Sequence, residues 1–142
     1  MRAWKERGLR QLAPLAAELV IAQLERPAAD VITYIPPDSV RQLERSRHPA
    51  QSLAQELAAH WHLECRPLLE RTRVTERQAA LSLAERRGNL RNVFDNRADV
   101  AGRVLLVDDV YTSGSTAHAA AGALRRAGAA RVEIVTFARA IR

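Results

Sequence analysis

The chain is expected to fold as an α/β domain around a parallel sheet, and three observations predict it. Short runs of branched apolar residues recur at Val31–Ile35, Val104–Val107 and Val132–Phe137, each of strand length. Longer segments with helical spacing or alanine-rich composition lie before and between them. Strands that alternate with helices pair in parallel, because each crossover helix returns the chain to the same end of the sheet. At 142 residues there is enough chain for one sizeable core but not two, so a single domain over residues 1–142 is expected.

The elements follow in order. Residues 1–30 hold an N-terminal helix over Met1–Leu24, with Leu12, Leu15, Ala16 and Leu19 on the expected inner face. Pro27 and the turn at Ala28-Ala29-Asp30 end it. Val31–Ile35 forms a strand stopped by Pro36-Pro37. A second helix is expected over Leu53–His62, with Leu53, Leu57 and Trp61 as a core stripe, and a further strand over Leu63–Leu69. The stretch from Arg71 to Phe94 is polar and rich in arginine. It loses periodicity after Leu83, as in a long excursion with one short helix. Arg103–Asp108 is the next strand and Ser115–Ala127 its helix, closed by Gly128. Val132–Phe137 is the last strand.

The chemistry concentrates at Arg103–Thr116, RVLLVDDVYTSGST. A buried strand ends in Asp108 and Asp109, and the loop Thr112-Ser113-Gly114-Ser115-Thr116 then leads into a helix. Unpaired N–H groups and the dipole at a helix start attract an anion, and the loop hydroxyls add donors. Glycine lets the backbone approach a ligand. A phosphate fits such a loop. Two carboxylates beside it would repel it unless they faced sugar hydroxyls or a metal ion, so the pattern suggests a phosphorylated sugar. A receiver-type acidic pair would lie near the start of its domain, and a Walker B strand would need an upstream Gly-x-x-x-x-Gly-Lys loop, which this chain lacks. Ile35-Pro36-Pro37 should lie at the same end of the sheet as the acidic pair.

Composition narrows the class. The net charge is +6, nearly all of the basic residues being arginine, which suits phosphorylated ligands and nucleic acid alike. Base composition of the genome explains an Arg- and Ala-rich chain equally well. Cys65 is the lone cysteine, which excludes an internal disulfide and a cysteine-based zinc site. No apolar run has the length of a membrane span, and Met1-Arg2-Ala3-Trp4-Lys5 opens no signal peptide, so a cytoplasmic protein is expected.

The thirteen residues Val104–Thr116 resemble, without a gap, the phosphoribosyl-pyrophosphate motif of type I phosphoribosyltransferases: four apolar residues, two acidic ones and a Thr-x-Gly-x-Thr turn. The arginine-rich segment narrows the resemblance to the competence-associated ComF family, through Arg71, Gln78, Leu81, Ser82, Arg86, Arg87, Asn89 and Phe94. Trp4–Gly8 and Leu12–Ala16 resemble the segment before that family's first core strand. The resemblance implies a Rossmann-like core with helices on both faces, a flexible Arg-rich excursion over residues 71–97, and a phosphoribosyl-pyrophosphate motif over residues 104–116. It implies that Asp108 and Asp109 position the ribose and that Thr112, Ser113, Gly114, Ser115 and Thr116 hold the 5-phosphate. Pro37, Asp38, Arg41, Arg86 and Arg87 would meet the pyrophosphate. Mg²⁺ would be held through the pyrophosphate and by Asp108 or Asp109, with no separate structural metal site.

Two departures stand out. The cysteine-rich zinc-binding segment with which many ComF members start is absent. After the first strand, the family's Pro-Leu-His-Pro-Arg-Arg and Glu-Arg-Gly-Phe-Asn-Gln-Ala stretches here read Pro36-Pro37-Asp38-Ser39-Val40-Arg41 and Glu44-Arg45-Ser46-Arg47-His48-Pro49-Ala50. The expected activity is transfer of a phosphoribosyl group to a nitrogen nucleophile, with competence-machinery proteins and a homodimer as further partners. A non-catalytic phosphoribosyl-ligand sensor is the first alternative, which Asp38 in the pyrophosphate loop favours. An arginine-rich nucleic-acid binder is the second, disfavoured by only two Trp, two Tyr and two Phe as stacking platforms. His60 and His62, two apart, fall on different helix faces and make no chelate.

Overall fold

A branched apolar strand covered on both faces belongs in the middle of a parallel sheet, and this chain has two. The computed structural model describes residues 2–37, 48–72, 93–111 and 114–139. Its elements are α1 (Arg2–Gln23), β1 (Val31–Tyr34), α2 (Pro49–Trp61), β2 (Glu64–Cys65), β3 (Leu69–Arg71), β4 (Phe94–Asn96), β5 (Arg103–Tyr111), α3 (Ser115–Arg126) and β6 (Arg131–Arg139). Four strands form one parallel sheet in the order β2-β1-β5-β6. The expected α/β class and parallel sheet are both present.

Side-chain alternation divides the core. Ile32, Leu105, Val107 and Val135 point to one face, where Ala16, Ala17 and Val20 of α1 and Leu53, Leu57 and Trp61 of α2 cover them. Val31, Val104 and Leu106 point to the other face, against the alanines and Leu124 of α3 and against Leu69 and Phe94. Period-two alternation in β5 therefore feeds two separate cores. Alanine is the common α3 residue because it lets that helix lie close to the sheet.

Several boundaries and one face differ from expectation. In α1 the inner face is Ala16-Ala17-Val20, whereas Leu15 and Leu19 are about half exposed, at 52% and 53%. The small residues win the contact because they allow close approach, which turns the leucines outward. The helix continues through Pro14. Helix α2 starts at Pro49, four residues before the first apolar stripe residue, because proline is suited to the first helical turn. The strand expected over Leu63–Leu69 is divided. Glu64–Cys65 pairs with β1, and then Leu69–Arg71 pairs antiparallel with β4. Leu68 between them is held by its N–H, which donates to the buried Thr33 Oγ1 at 3.2 Å. The excursion thus begins and ends in a two-stranded ribbon, with Arg71 opposite Phe94. The short helix expected within it falls at residues outside those described.

The connections orient the sheet. From β1 the chain passes through α2 to β2 on one side, and from β5 through α3 to β6 on the other. Two βαβ units that diverge from neighbouring strands leave a crevice between those strands' carboxyl ends, here β1 and β5. At the opposite end Asp30 accepts from the Arg103 backbone N–H at 2.8 Å and from its guanidinium at 2.9 Å, clasping the two strand starts together.

Candidate functional site

Strand β5 outlasts its neighbour. Its pairing with β1 runs from Val31↔Val104 to Tyr34↔Val107, and its pairing with β6 continues to Tyr111↔Arg139. The acidic pair was expected at the strand's last residue, but the strand extends three residues beyond Asp108. Asp108 and Asp109 therefore sit on a segment fixed by β6 on one side and past the end of β1 on the other. The Ile35 N–H donates to the Val107 carbonyl at 3.0 Å, which brings Ile35-Pro36-Pro37 beside the acidic pair as expected.

The pair is internally bonded. The Asp109 N–H donates to Asp108 Oδ1 at 3.0 Å. Burial pushes the Asp108 carboxyl up to about 6, and the hydrogen bond with the Asp109 side chain and that neighbour's charge add to the rise. The arrangement holds negative charge that is poorly solvated and asks for a cation or for hydroxyl donors. Oxygen-only ligands of this kind suit Mg²⁺. No group of three or more His, Cys, Asp and Glu side chains is arranged to hold a metal among the described residues. Two carboxylates could hold a Mg²⁺ ion that takes its other ligands from substrate phosphates and water.

The helix start follows. Gly114 is the N-cap of α3 with φ of 74°, a left-handed conformation that glycine adopts without strain. The His118 N–H donates to the Gly114 carbonyl at 2.8 Å, closing the first turn. No side chain caps this end. Ser115 is exposed and Thr116 partly so, and His118 lies on the helix surface. Thr112 and Ser113 lie outside the described residues, as do Asp38, Arg41, Arg86 and Arg87. Pro37 is partly buried at the end of the post-β1 segment.

Two residues enter the site that the sequence had not marked as contacts. Arg71 donates through Nε to the Pro36 carbonyl at 2.9 Å, and its guanidinium lies 4.8 Å from the Phe94 ring centroid. His48, at the N-cap of α2, carries a buried Nδ1 with no hydrogen-bond partner. Burial lowers its pKa, against the raising effect of the Asp109 charge, while the Arg71 charge lowers it further. The signal for Arg71 was its place at the mouth of the arginine-rich stretch. Its pairing with Phe94, 23 positions on, depends on a ribbon that three-residue strands do not announce. His48 was marked only as part of the His48-Pro49 departure from the family's Asn-Gln pair, with no contact assigned to it.

A family model described as "Phosphoribosyl transferase domain" matches residues 43–142, which is most of the chain and all of the β5–α3 site. The chain belongs to this phosphoribosyl transferase family. Among curated proteins, Competence protein F of Haemophilus influenzae (strain ATCC 51907 / DSM 11121 / KW20 / Rd) is 30% identical over 142 residues, covering 96% of this chain and 62% of the relative. DNA utilization protein YhgH of Escherichia coli O157:H7 is 40% identical over 92 residues, covering 64% of this chain and 39% of the relative. These relatives place the domain with the ComF-type members. The phosphoribosyl transferase chain spans 39% and 62% of the lengths of these two relatives. Among solved structures, glutamine phosphoribosylpyrophosphate amidotransferase from B. subtilis, complexed with ADP and GMP, superposes with a TM-score of 0.62 at 26% identity. The match covers 88% of this chain and 26% of that one. No helix among the described residues is long and apolar enough to cross a membrane.

Proposed function

We propose that the chain is a single phosphoribosyltransferase domain that binds Mg²⁺–phosphoribosyl pyrophosphate in the crevice between β1 and β5. It transfers the phosphoribosyl group to a nitrogen nucleophile. The observation that carries this reading is the position of the acidic pair, past the end of β1 and on the strand that leads into the Gly114 helix start. A ribose spanning that gap would set its hydroxyls against Asp108 and Asp109 and its 5-phosphate at the first turn of α3. Its diphosphate would then lie toward Pro36 and Pro37. Asp108 and Asp109 would hold Mg²⁺ together with the diphosphate, and the ion would supply charge neutralisation for the leaving group. In the reaction the C1–O bond to pyrophosphate breaks, and pyrophosphate leaves with the bonding pair. A C1–N bond forms, and the nitrogen's proton passes to solvent. The protein's own contribution is positioning and electrostatic stabilisation. The lone cysteine fits a reducing cytoplasm.

Calorimetric titration of phosphoribosyl pyrophosphate with Mg²⁺ into the wild type and into Asp108→Asn/Asp109→Asn tests the site. Binding by the wild type that is lost in the folded double variant supports the reading, and a folded wild type that binds nothing overturns it. A second reading keeps the ligand but not the turnover. It is favoured by relatives named for competence and DNA utilization rather than for a transferase reaction. Release of pyrophosphate in a screen of nitrogen acceptors separates the two.

A further inference from the structure

Among the described residues, Arg71 joins several parts of the site. It is half-buried at the end of β3, opposite Phe94. Its Nε–H is committed to the Pro36 carbonyl at 2.9 Å, and its guanidinium carbon lies over the buried Phe94 ring, 4.8 Å from the centroid. The ring is fully enclosed in the core on the α3 side of the sheet, so the guanidinium rests on a rigid platform. The β3–β4 ribbon is itself pinned to α3, where Asn96 Nδ2 donates to the Ala123 carbonyl at 2.9 Å. A continuous path thus runs from α3 through the ribbon to the segment that follows β1. Arg71 is its last link.

We propose that Arg71 is a positioning residue that latches the post-β1 segment at Pro36 to the β3–β4 ribbon. It thereby sets the width of the gap between that segment and the acidic pair, where the diphosphate end of the ligand lies. Pro36 and Pro37 have no N–H with which to anchor themselves, and a strand end closed by two prolines needs a donor from elsewhere. A planar guanidinium can stack through its face while it donates through its edge, and an ammonium cannot do both. The Arg71 charge also reaches Asp108 and His48, so the latch carries fixed positive charge on the side of the crevice where a diphosphate would add negative charge.

The inference rests on the phosphoribosyl-pyrophosphate reading, and two probes separate their failures. Phosphoribosyl pyrophosphate with Mg²⁺ and ribose 5-phosphate are titrated into wild type, Arg71→Gln and Arg71→Lys, with thermal unfolding of each. Arg71→Gln is expected to weaken phosphoribosyl pyrophosphate about tenfold or more and to leave ribose 5-phosphate within about twofold, because only the former reaches the latched side. Arg71→Lys is expected to recover only part of the loss. Unchanged affinity in Arg71→Gln overturns the latch, and so does equal loss of both probes, which marks a merely structural role. Full recovery by lysine overturns it too, since charge alone would then suffice. A wild type that binds neither probe overturns the transferase reading, and the latch with it.

Discussion

At the scale of the residue, Asp108 shows what burial and a neighbouring carboxylate do to a single acid. Its carboxyl is pushed up to about 6 from an ordinary value of 3.8, so the folded protein favours the protonated form. The stabilisation this gives is fully present below about pH 4 and is lost as the pH rises through 6. Above that the folded state carries a half-buried Asp108 carboxylate. Asp108→Asn, which keeps an oxygen to accept from the Asp109 N–H, should flatten the pH dependence of stability between about pH 4 and 6. It should also raise the urea midpoint at pH 8 relative to wild type. A wild-type urea midpoint that does not change over this range would count against the burial argument. On the proposed function, Mg²⁺ or ribose hydroxyls against the pair would relieve the cost of ionising Asp108.

At the scale of the element, α3 and its ends carry the argument. Gly128 follows the helix with φ of 107°, and a Cβ there would meet the Val100 carbonyl oxygen at 2.6 Å. That oxygen is backbone, and the Val100 N–H in turn donates to the Ala127 carbonyl at 2.9 Å, so neither side can yield. Gly128→Ala is expected to cost about 2 kcal/mol or more, from the left-handed conformation together with the clash. Chemical denaturation checks it. This closing glycine was legible in the sequence, as were the branched strands and the Leu53–Leu57–Trp61 stripe, because each rests on local spacing. The inner face of α1 was legible only at Ala16, and the Leu12 side chain lies outside those described. Leu15 and Leu19 carry the stronger hydrophobic signal, but helix–sheet distance is a tertiary quantity, and it selected Ala16, Ala17 and Val20. The ribbon escaped for a related reason. Three residues on each side have no period to read, and what holds them is Arg71 on Phe94 and Asn96 on Ala123. The acidic pair and the glycine of the β5–α3 loop were visible because both stand in one continuous stretch. Arg71 and His48 come to the crevice from other elements, and only the fold brings them there.

At the scale of the whole molecule, the two βαβ units are tied at both ends of the β1–β5 seam. The site lies at one end, and the Asp30–Arg103 clasp lies at the other. The Arg103 hydrogen bonds hold the Asp30 carboxyl down at about 2. A depressed carboxylate contributes stability above its ordinary value of 3.8 and loses it as the pH falls toward 2. Asp30→Asn should therefore lower the thermal midpoint at pH 7, and the variant and wild type should converge as the pH approaches 2. A constant difference at all pH values would mean that the clasp acts through shape rather than charge. Gly102 shares this corner at φ of 81°, and a Cβ there would sit 2.6 Å from Asp30 Oδ2, so a side chain at this position would push the carboxylate out of the clasp.

The seam also governs how the chain is able to assemble. Asp30 and Arg103 are 73 positions apart, so about half the polypeptide must be gathered before the central strands can meet. The β5–α3–β6 unit closes over a much shorter loop and has the longest strand pairing among the described residues. It can form early as a local nucleus, with β1 and α2 added later at a larger entropic cost. The last event in such a sequence is the joining of β1 to β5, which is also the event that creates the crevice. Until it occurs, the acidic pair stands on a finished strand with no opposite wall, and on the proposed function ligand competence would arrive only with that final step of folding.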